Sequence, residues 1–140
     1  MLNEEVRKIM TKDPVVVHPD DTVGHVMQVM LDEKLQQIPV VEDLKLVGLI
    51  TSYDIRQDPS LNGDSQKKVR EVMNEKVIFV KPKDKVGTAA ELFVGRRFKT
   101  LPVVNLRHEL KGVVTTYDVL KHVMQKEYPV PILYKEILQN

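Results

Sequence analysis

Two runs of the same chemistry stand out in the chain, Thr51-Ser52-Tyr53-Asp54 and Thr115-Thr116-Tyr117-Asp118. Each is a Thr-x-x-Asp, and each follows a glycine and two aliphatic residues, Gly48-Leu49-Ile50 or Gly112-Val113-Val114. A threonine that opens a helix faces unpaired N–H groups and the positive end of the helix dipole. A carboxylate three residues later has two acceptor oxygens. The run can therefore serve as a capping box, satisfying the helix's own orphan donors. It can equally hold a polar ligand, since a phosphate is welcome at a helix N-terminus. The two uses are compatible, and the recurrence of the run favours the ligand. Tyr53 and Tyr117 are expected to pack at the helix starts rather than stack on a ligand.

Nothing else has the spacing of a catalytic centre. The chain lacks a Gly-x-Gly-x-x-Gly, a P-loop and a His-Glu-x-x-His. Ser52, Ser60 and Ser65 lie outside any nucleophile elbow. His18, His25, His108 and His122 are scattered without metal-ligand spacing. His18 with Asp20 and Asp21 reads as a polar turn before a helix, with cation binding as the alternative. Asp54 and Asp118 are not expected to form an acid/base pair, because each belongs to its own run. The expectation is of no enzyme activity, no metal and no required cofactor.

The elements that position these runs come in two copies. Val6-Arg7 and Met10 recur as Val69-Arg70 and Met73, 63 residues on. Val17, Pro19, Asp21, Val23 and Gly24 recur as Val80, Pro82, Asp84, Val86 and Gly87, and Pro39-Val40-Val41 as Pro102-Val103-Val104. One inserted residue later, Gly48, Thr51, Tyr53 and Asp54 recur as Gly112, Thr115, Tyr117 and Asp118. Such agreement in register marks a duplication. Each copy predicts a short helix (Glu4 to Met10; Lys67 to Met73) and a β-branched strand (Val15 to Val17; Val77 to Val80) stopped by Pro19 or Pro82. An amphipathic helix follows, with the stripe Val23, Val26, Met27, Met30 and Leu31 or Val86, Ala89, Ala90, Phe93 and Val94. Two strands (Ile38–Val41 and Leu46–Ile50; Leu101–Val104 and Leu110–Val114) and a last helix from Thr51 or Thr115 complete an α–β–α–β–β–α unit. The fold class is mixed α/β, or α+β. A unit this small is marginal alone, so the copies are expected to pack with pseudo-twofold symmetry. Residues 1–58 and 67–126 are the copies, 59–66 a linker, and 127–140 a tail with one short helix.

Composition narrows the function classes. The 140 residues carry a net charge of +1, so bulk electrostatics gives no reason to expect a nucleic-acid or membrane partner. The hydrophobic share of 42% suffices for a core. Absence of cysteine excludes disulfides and thiolate chemistry and fits a reducing compartment. The acidic start Met1-Leu2-Asn3-Glu4-Glu5 is no secretory signal, and no apolar run nears the ~20 residues that span a bilayer. A cytoplasmic, soluble protein is expected. Met27, Met30 and Met124 read as core or interface packing.

Each copy resembles a CBS domain, the cystathionine-β-synthase repeat found in pairs in regulatory proteins. The resemblance rests on Val6…Ile9-Met10-Thr11…Pro14, Ile38-Pro39-Val40-Val41 and Gly48 through Asp54. The second copy matches with Val69…Val72-Met73, Leu101-Pro102-Val103-Val104 and Gly112 through Asp118. It departs in having Asn74-Glu75-Lys76-Val77 in place of the Thr11…Pro14 stretch. The resemblance implies a site for an adenosine-type ligand (AMP, ADP, ATP or S-adenosylmethionine) beside each Thr-x-x-Asp run. Asp54 and Asp118 would bind a ribose diol, which suits two carboxylate oxygens, while Thr51 and Thr115 would contact ribose or phosphate. Val15, Val16, Ile38, Pro39 and Val40 would flank the base in one copy, and Ile78, Leu101, Pro102 and Val103 in the other. Lys99 and Arg97 are the phosphate candidates. Neutral Gln36 stands where the second copy has Lys99, so the second repeat is expected to hold a phosphorylated ligand more tightly.

Three functional classes follow. The leading one is a regulatory sensor whose ligand biases packing between repeats or subunits and signals to an effector protein. The second is a homodimeric interaction module in which the Thr-x-x-Asp runs are only helix caps, since twofold contacts are the commonest oligomeric solution. The third, an enzyme or nucleic-acid binder, is disfavoured by motif and charge alike. The chain ends soon after the second repeat, so a free-standing pair acting on another polypeptide or on itself is expected.

Overall fold

In the computed structural model, residues 1–58, 65–96 and 98–127 are described. Most of the expected linker and tail lies outside them, as does Arg97. The elements are α1 (Val23–Glu33), β1 (Gln37–Glu42), β2 (Lys45–Thr51) and α2 (Ser52–Gln57), then α3 (Val86–Arg96), β3 (Thr100–Val104), β4 (Leu110–Thr115) and α4 (Thr116–Glu127). The expected leading helices are three-residue 3-10 turns, Val6–Lys8 and Val69–Glu71. Two antiparallel hairpins, β1–β2 and β3–β4, carry the same irregularity at Val40/Val41 and Val103/Val104. The duplication in the sequence is thus a duplication in backbone detail.

The expected first strands shrink to one parallel bridge each, Val17 with Val40 and Val80 with Val103. The cause is visible in the hydrogen bonds. Val17 N–H donates to the Pro39 carbonyl (3.1 Å), and Val41 N–H donates to the Val17 carbonyl (2.9 Å). The next bond of a parallel ladder would need an N–H at residue 39, and proline has none. Pro102 stops the second ladder the same way, after Val80 N–H to the Pro102 carbonyl (3.0 Å). As a result, the backbones of Val15, Val16, Val77 and Ile78 bond to no other described residue.

The helices close over the hairpins on a narrower stripe than the sequence implies. Val23, Val26 and Met30 of α1 are buried, as are Val86, Ala89 and Phe93 of α3. Leu31 and Val94, at the stripe edges, are 74% and 83% exposed. A two-stranded hairpin is too narrow to cover the whole apolar arc of a helix.

The two hydrophobic cores do not coincide with the two sequence copies. The first gathers Val17, Val23, Val26, Ile38, Val40 and Ile50 together with Val69, and Val72 and Met73 pack against it. The second gathers Val80, Phe93, Leu101, Val103 and Val114 together with Val6, with Ile9 and Met10 against it. Each leading turn therefore fills the core of the other copy. Backbone bonds fix the exchange in matched pairs. Val6 N–H donates to the Asp84 carbonyl (2.8 Å) and Val69 N–H to the Asp21 carbonyl (2.9 Å). Val86 N–H donates to Glu4 and Val23 N–H to Lys67, each at 2.8 Å.

Candidate functional site

At the second Thr-x-x-Asp run the capping box is complete. Asp118 N–H donates to the Thr115 hydroxyl (3.1 Å), and Thr115 N–H donates to the Asp118 carboxylate (2.9 Å). The carboxylate has a further partner from the other copy. The Thr11 hydroxyl donates to its two oxygens at 3.3 and 3.2 Å. Thr11 is held there by a two-bond bridge to Val113 (2.8 and 3.0 Å). Gly112 permits the approach, since a Cβ there would lie 2.6 Å from the Thr11 carbonyl oxygen and 3.0 Å from Met10 Sδ. Asp118 also lines a cavity of about 370 Å³ with Lys8, Ile9, Lys121, His122 and the paired Glu4 and Lys126.

The first run repeats this with changes. Thr51 caps α2, its hydroxyl accepting from Asp54 N–H (3.0 Å). Asn74, the counterpart of Thr11, bridges to Leu49 with two bonds of 2.9 Å. Its side-chain oxygen turns back to accept from Lys76 N–H (3.0 Å). Each run is thus met by the segment after the other copy's leading turn: residues 11–16 reach from Val113 to Val40, and 74–79 from Leu49 to Val103. Each run is therefore flanked by elements of both copies. The partner of Thr115 and Asp118 is the Thr11–Val16 segment, and that of Thr51 and Asp54 is the Asn74–Phe79 segment.

The remaining site residues fall as follows. Ile38, Pro39, Val40, Leu101, Pro102 and Val103 are buried in the hairpins, while Val16 and Ile78 are exposed and Val15 is half-buried. Lys99 does not stand opposite an independent Gln36. Its Nζ donates to Gln36 Oε1 (3.3 Å), so the two pseudo-equivalent positions meet each other. Their carbonyls accept from Ser52 and Thr116 at the starts of α2 and α4 (2.9 and 3.2 Å). Tyr53 and Tyr117 are 61% and 65% exposed, contrary to the packing role expected of them. Type and local spacing do not single out Lys8 and Lys121; the signal for them is the difference in charge between repeat-equivalent positions, Lys8 against Glu71 and Lys121 against Gln57.

The polar turn at His18 is a charge network between copies. His18 N–H donates to Asp21 (2.8 Å), and His18 Nδ1 accepts from Asp20 N–H (3.0 Å). Arg70 binds Asp20 at 2.8 Å and lies 3.7 Å from Glu42. Its guanidinium holds the Asp20 carboxyl below the usual range. His18, Asp20 and Glu42 converge as cation ligands would, but Arg70 already supplies the positive charge there.

A duplicated helix-and-hairpin unit, exchanged leading turns and two capped Thr-x-x-Asp runs define a class of paired modules built by duplication. The chain matches the CBS domain model over residues 6–59 and 69–125, and it belongs to the CBS domain family as a tandem pair. It is 36% identical over 123 residues to inosine-5'-monophosphate dehydrogenase of Methanocaldococcus jannaschii, covering 87% of this chain and 23% of the enzyme. The chain spans 23% to 47% of the length of the first such relatives. Among solved structures it is similar to CBSX2 in complex with AMP, with a TM-score of 0.79 and 25% identity over 89% of this chain and 98% of that one. It is also similar to the CBS domain pair of protein MJ0100 in complex with 5'-methylthioadenosine and S-adenosyl-L-methionine. There the TM-score is 0.73, with 25% identity over 87% of this chain and 97% of that one. No helix among the described residues is long and apolar enough to cross a membrane.

Proposed function

We propose that the chain is a regulatory module that binds an adenosine-containing ligand in two composite clefts and signals by changing how its halves pack. The observation that carries this reading is the Asp118 carboxylate, fixed by Thr115 from its own copy and Thr11 from the other. A ribose diol that competes for those oxygens would act directly on the contact between halves. Asp54 and Thr51 have the equivalent role in the first run. The unbonded backbones of Val15, Val16 and Ile78 offer donors and acceptors to a base edge, with the apolar hairpin residues beside them. Lys99, between the starts of α2 and α4, is the phosphate candidate; Arg97 shares that assignment from sequence. That CBSX2 binds AMP and the MJ0100 pair binds 5'-methylthioadenosine and S-adenosylmethionine supports the ligand class. The module transmits the change to an effector polypeptide and acts without chemistry of its own.

Calorimetric titration with AMP, ATP and S-adenosylmethionine tests it, with Asp118→Ala beside the unaltered protein. Saturable binding weakened at least tenfold by Asp118→Ala is expected. Absence of binding by all three ligands to folded protein would overturn the sensor.

A second reading, dimerisation, has its own support. Met27, Leu31 and Tyr53 on one helix pair and Val94, Leu120 and Met124 on the other are exposed. A groove of about 580 Å³ runs between α1 and α2 over Met30, Leu35 and Ile55. A homodimer that buries these faces is the state in which we expect the sensor to act. Sedimentation should give twice the chain mass, and Leu31→Glu with Leu120→Glu should return the monomer.

A further inference from the structure

The two Thr-x-x-Asp runs share their backbone setting at the helix start but differ in the charges placed around them. Around Asp118 the leading turn contributes Lys8 and the helix contributes Lys121 and His122. Among the described residues Lys8 and Lys121 have no ion-pair partner, whereas Lys126 is neutralised by Glu4 at 3.1 Å. Shifting by the repeat, 63 residues in the leading turn and 64 after the inserted residue, replaces Glu4 by Lys67, Lys8 by Glu71, Lys121 by Gln57 and His122 by Asp58, so that the two cations Lys8 and Lys121 give way to one anion and one neutral side chain. The exchange of leading turns carries Glu71 to the Asp54 side as it carries Lys8 to the Asp118 side. The intervening loops hold one charge of each sign, Lys12 and Asp13 or Glu75 and Lys76, so they do not offset the difference. Lys99 lies between the two helix starts and favours neither.

A second observation points the same way. Gln37 stands across the β1–β2 ladder from Thr51, and its Oε1 is buried without a hydrogen-bond partner among the described residues. In the other hairpin that register position is Thr100, across from Thr115. The Asp54 side therefore offers an acceptor lacking a donor, which a phosphate oxygen cannot satisfy and an N–H or cationic group can.

Resting on the ligand class proposed above, we infer that the two clefts of one chain sort adenosine ligands by charge. The Asp118 cleft takes a ligand bearing phosphate, and the Asp54 cleft takes one whose 5' substituent is neutral or cationic. A single chain thereby reads two metabolite classes at once. Because the charges line partly solvated walls, the selectivity is salt-sensitive.

The test uses the full chain, AMP as the anionic probe and S-adenosylmethionine as the cationic one, titrated singly and then with the other at saturation. Each should bind one site per chain and neither should displace the other. Asp118→Asn should abolish the AMP isotherm, and Asp54→Asn the S-adenosylmethionine isotherm. The double variant Lys8→Glu/Lys121→Glu alters only exposed residues; it should weaken AMP roughly tenfold and leave S-adenosylmethionine within about twofold. Thermal melting of every variant guards against reading misfolding as lost binding. Mutual displacement, or a charge swap that leaves the AMP to S-adenosylmethionine affinity ratio unchanged, overturns the sorting while the sensor stands. Failure of both probes to bind the folded, unaltered chain overturns both.

Discussion

Gly112 and Gly95 sit in the same copy and are chemically identical, yet replacing them should have opposite effects. A Cβ at Gly112 would meet the backbone of Thr11 at 2.6 Å, a neighbour that cannot rotate away. Gly112→Ala should therefore destabilise the fold by about 1–3 kcal/mol in chemical denaturation and loosen the Thr11–Asp118 contact. Gly95, inside α3, has nothing within 4 Å of its missing Cβ, so Gly95→Ala should stabilise by roughly 0.5–1 kcal/mol through helix propensity. Removing the cap with Thr115→Ala should cost about 1 kcal/mol and weaken any ligand held at Asp118. At this scale much of the candidate site is legible in the sequence. Thr51, Asp54, Thr115 and Asp118 announce themselves by recurrence, because capping chemistry is local. The hydroxyl that completes the second site is not, since Thr11 lies 107 residues from Asp118. No local pattern encodes a contact of that range; only the close approach at Gly112 hints at it.

Among the elements, hairpins and main helices follow their sequence patterns, while the leading helices and first strands do not. Pro39 and Pro102 explain the strands: both read as favourable residues of a hydrophobic run, yet the N–H each lacks is the one the parallel ladder needs. The stripe on α1 and α3 overstates burial for a similar reason, since periodicity reports which face is apolar but not the width of what covers it. The exchange of leading turns leaves no mark in composition, because the copies are alike and either core accepts either valine. Its energetic signature is specific. Val6 and Val69 are fully buried, and truncating either to alanine should cost about 2–3 kcal/mol. Hydrogen exchange should place the Val6→Ala effect first in β3, β4 and α3, far along the chain, and the Val69→Ala effect in α1, β1 and β2.

For the molecule as a whole, exchange makes the two cores one cooperative unit, and a single unfolding transition is expected in calorimetry and denaturant. Two salt bridges, Arg70–Asp20 and Lys126–Glu4, tie the halves across the same seams, and a third, Arg7–Glu5, lies within the first leading turn. Arg70 lowers the Asp20 pKa, Lys126 lowers that of Glu4 and Arg7 that of Glu5, each mainly by a direct hydrogen bond. Depressed native values mean that these pairs stabilise the fold fully above the ordinary values of 3.8 for Asp and 4.5 for Glu. Their contribution disappears as pH falls below them. Asp20→Asn should therefore lower the melting temperature slightly at neutral pH, and the two proteins should converge in acid. Exposure keeps the effect small. High salt should shrink it further.

The crossed leading turns also bear on how the chain is made. Residues 1–58 leave the ribosome without the segment that closes the first core, which arrives only with Val69, Val72 and Met73. The first leading turn, made before its core, has none to enter until β3 and β4 have been translated. Synthesis order and assembly order are therefore inverted for the first leading turn. Val6, Ile9 and Met10 remain uncovered until the second hairpin emerges, a window in which a nascent chain depends on dilution or a chaperone. A fragment ending at residue 58 should stay unfolded, and adding residues 65–73 in trans should be the least that gives it a complete core.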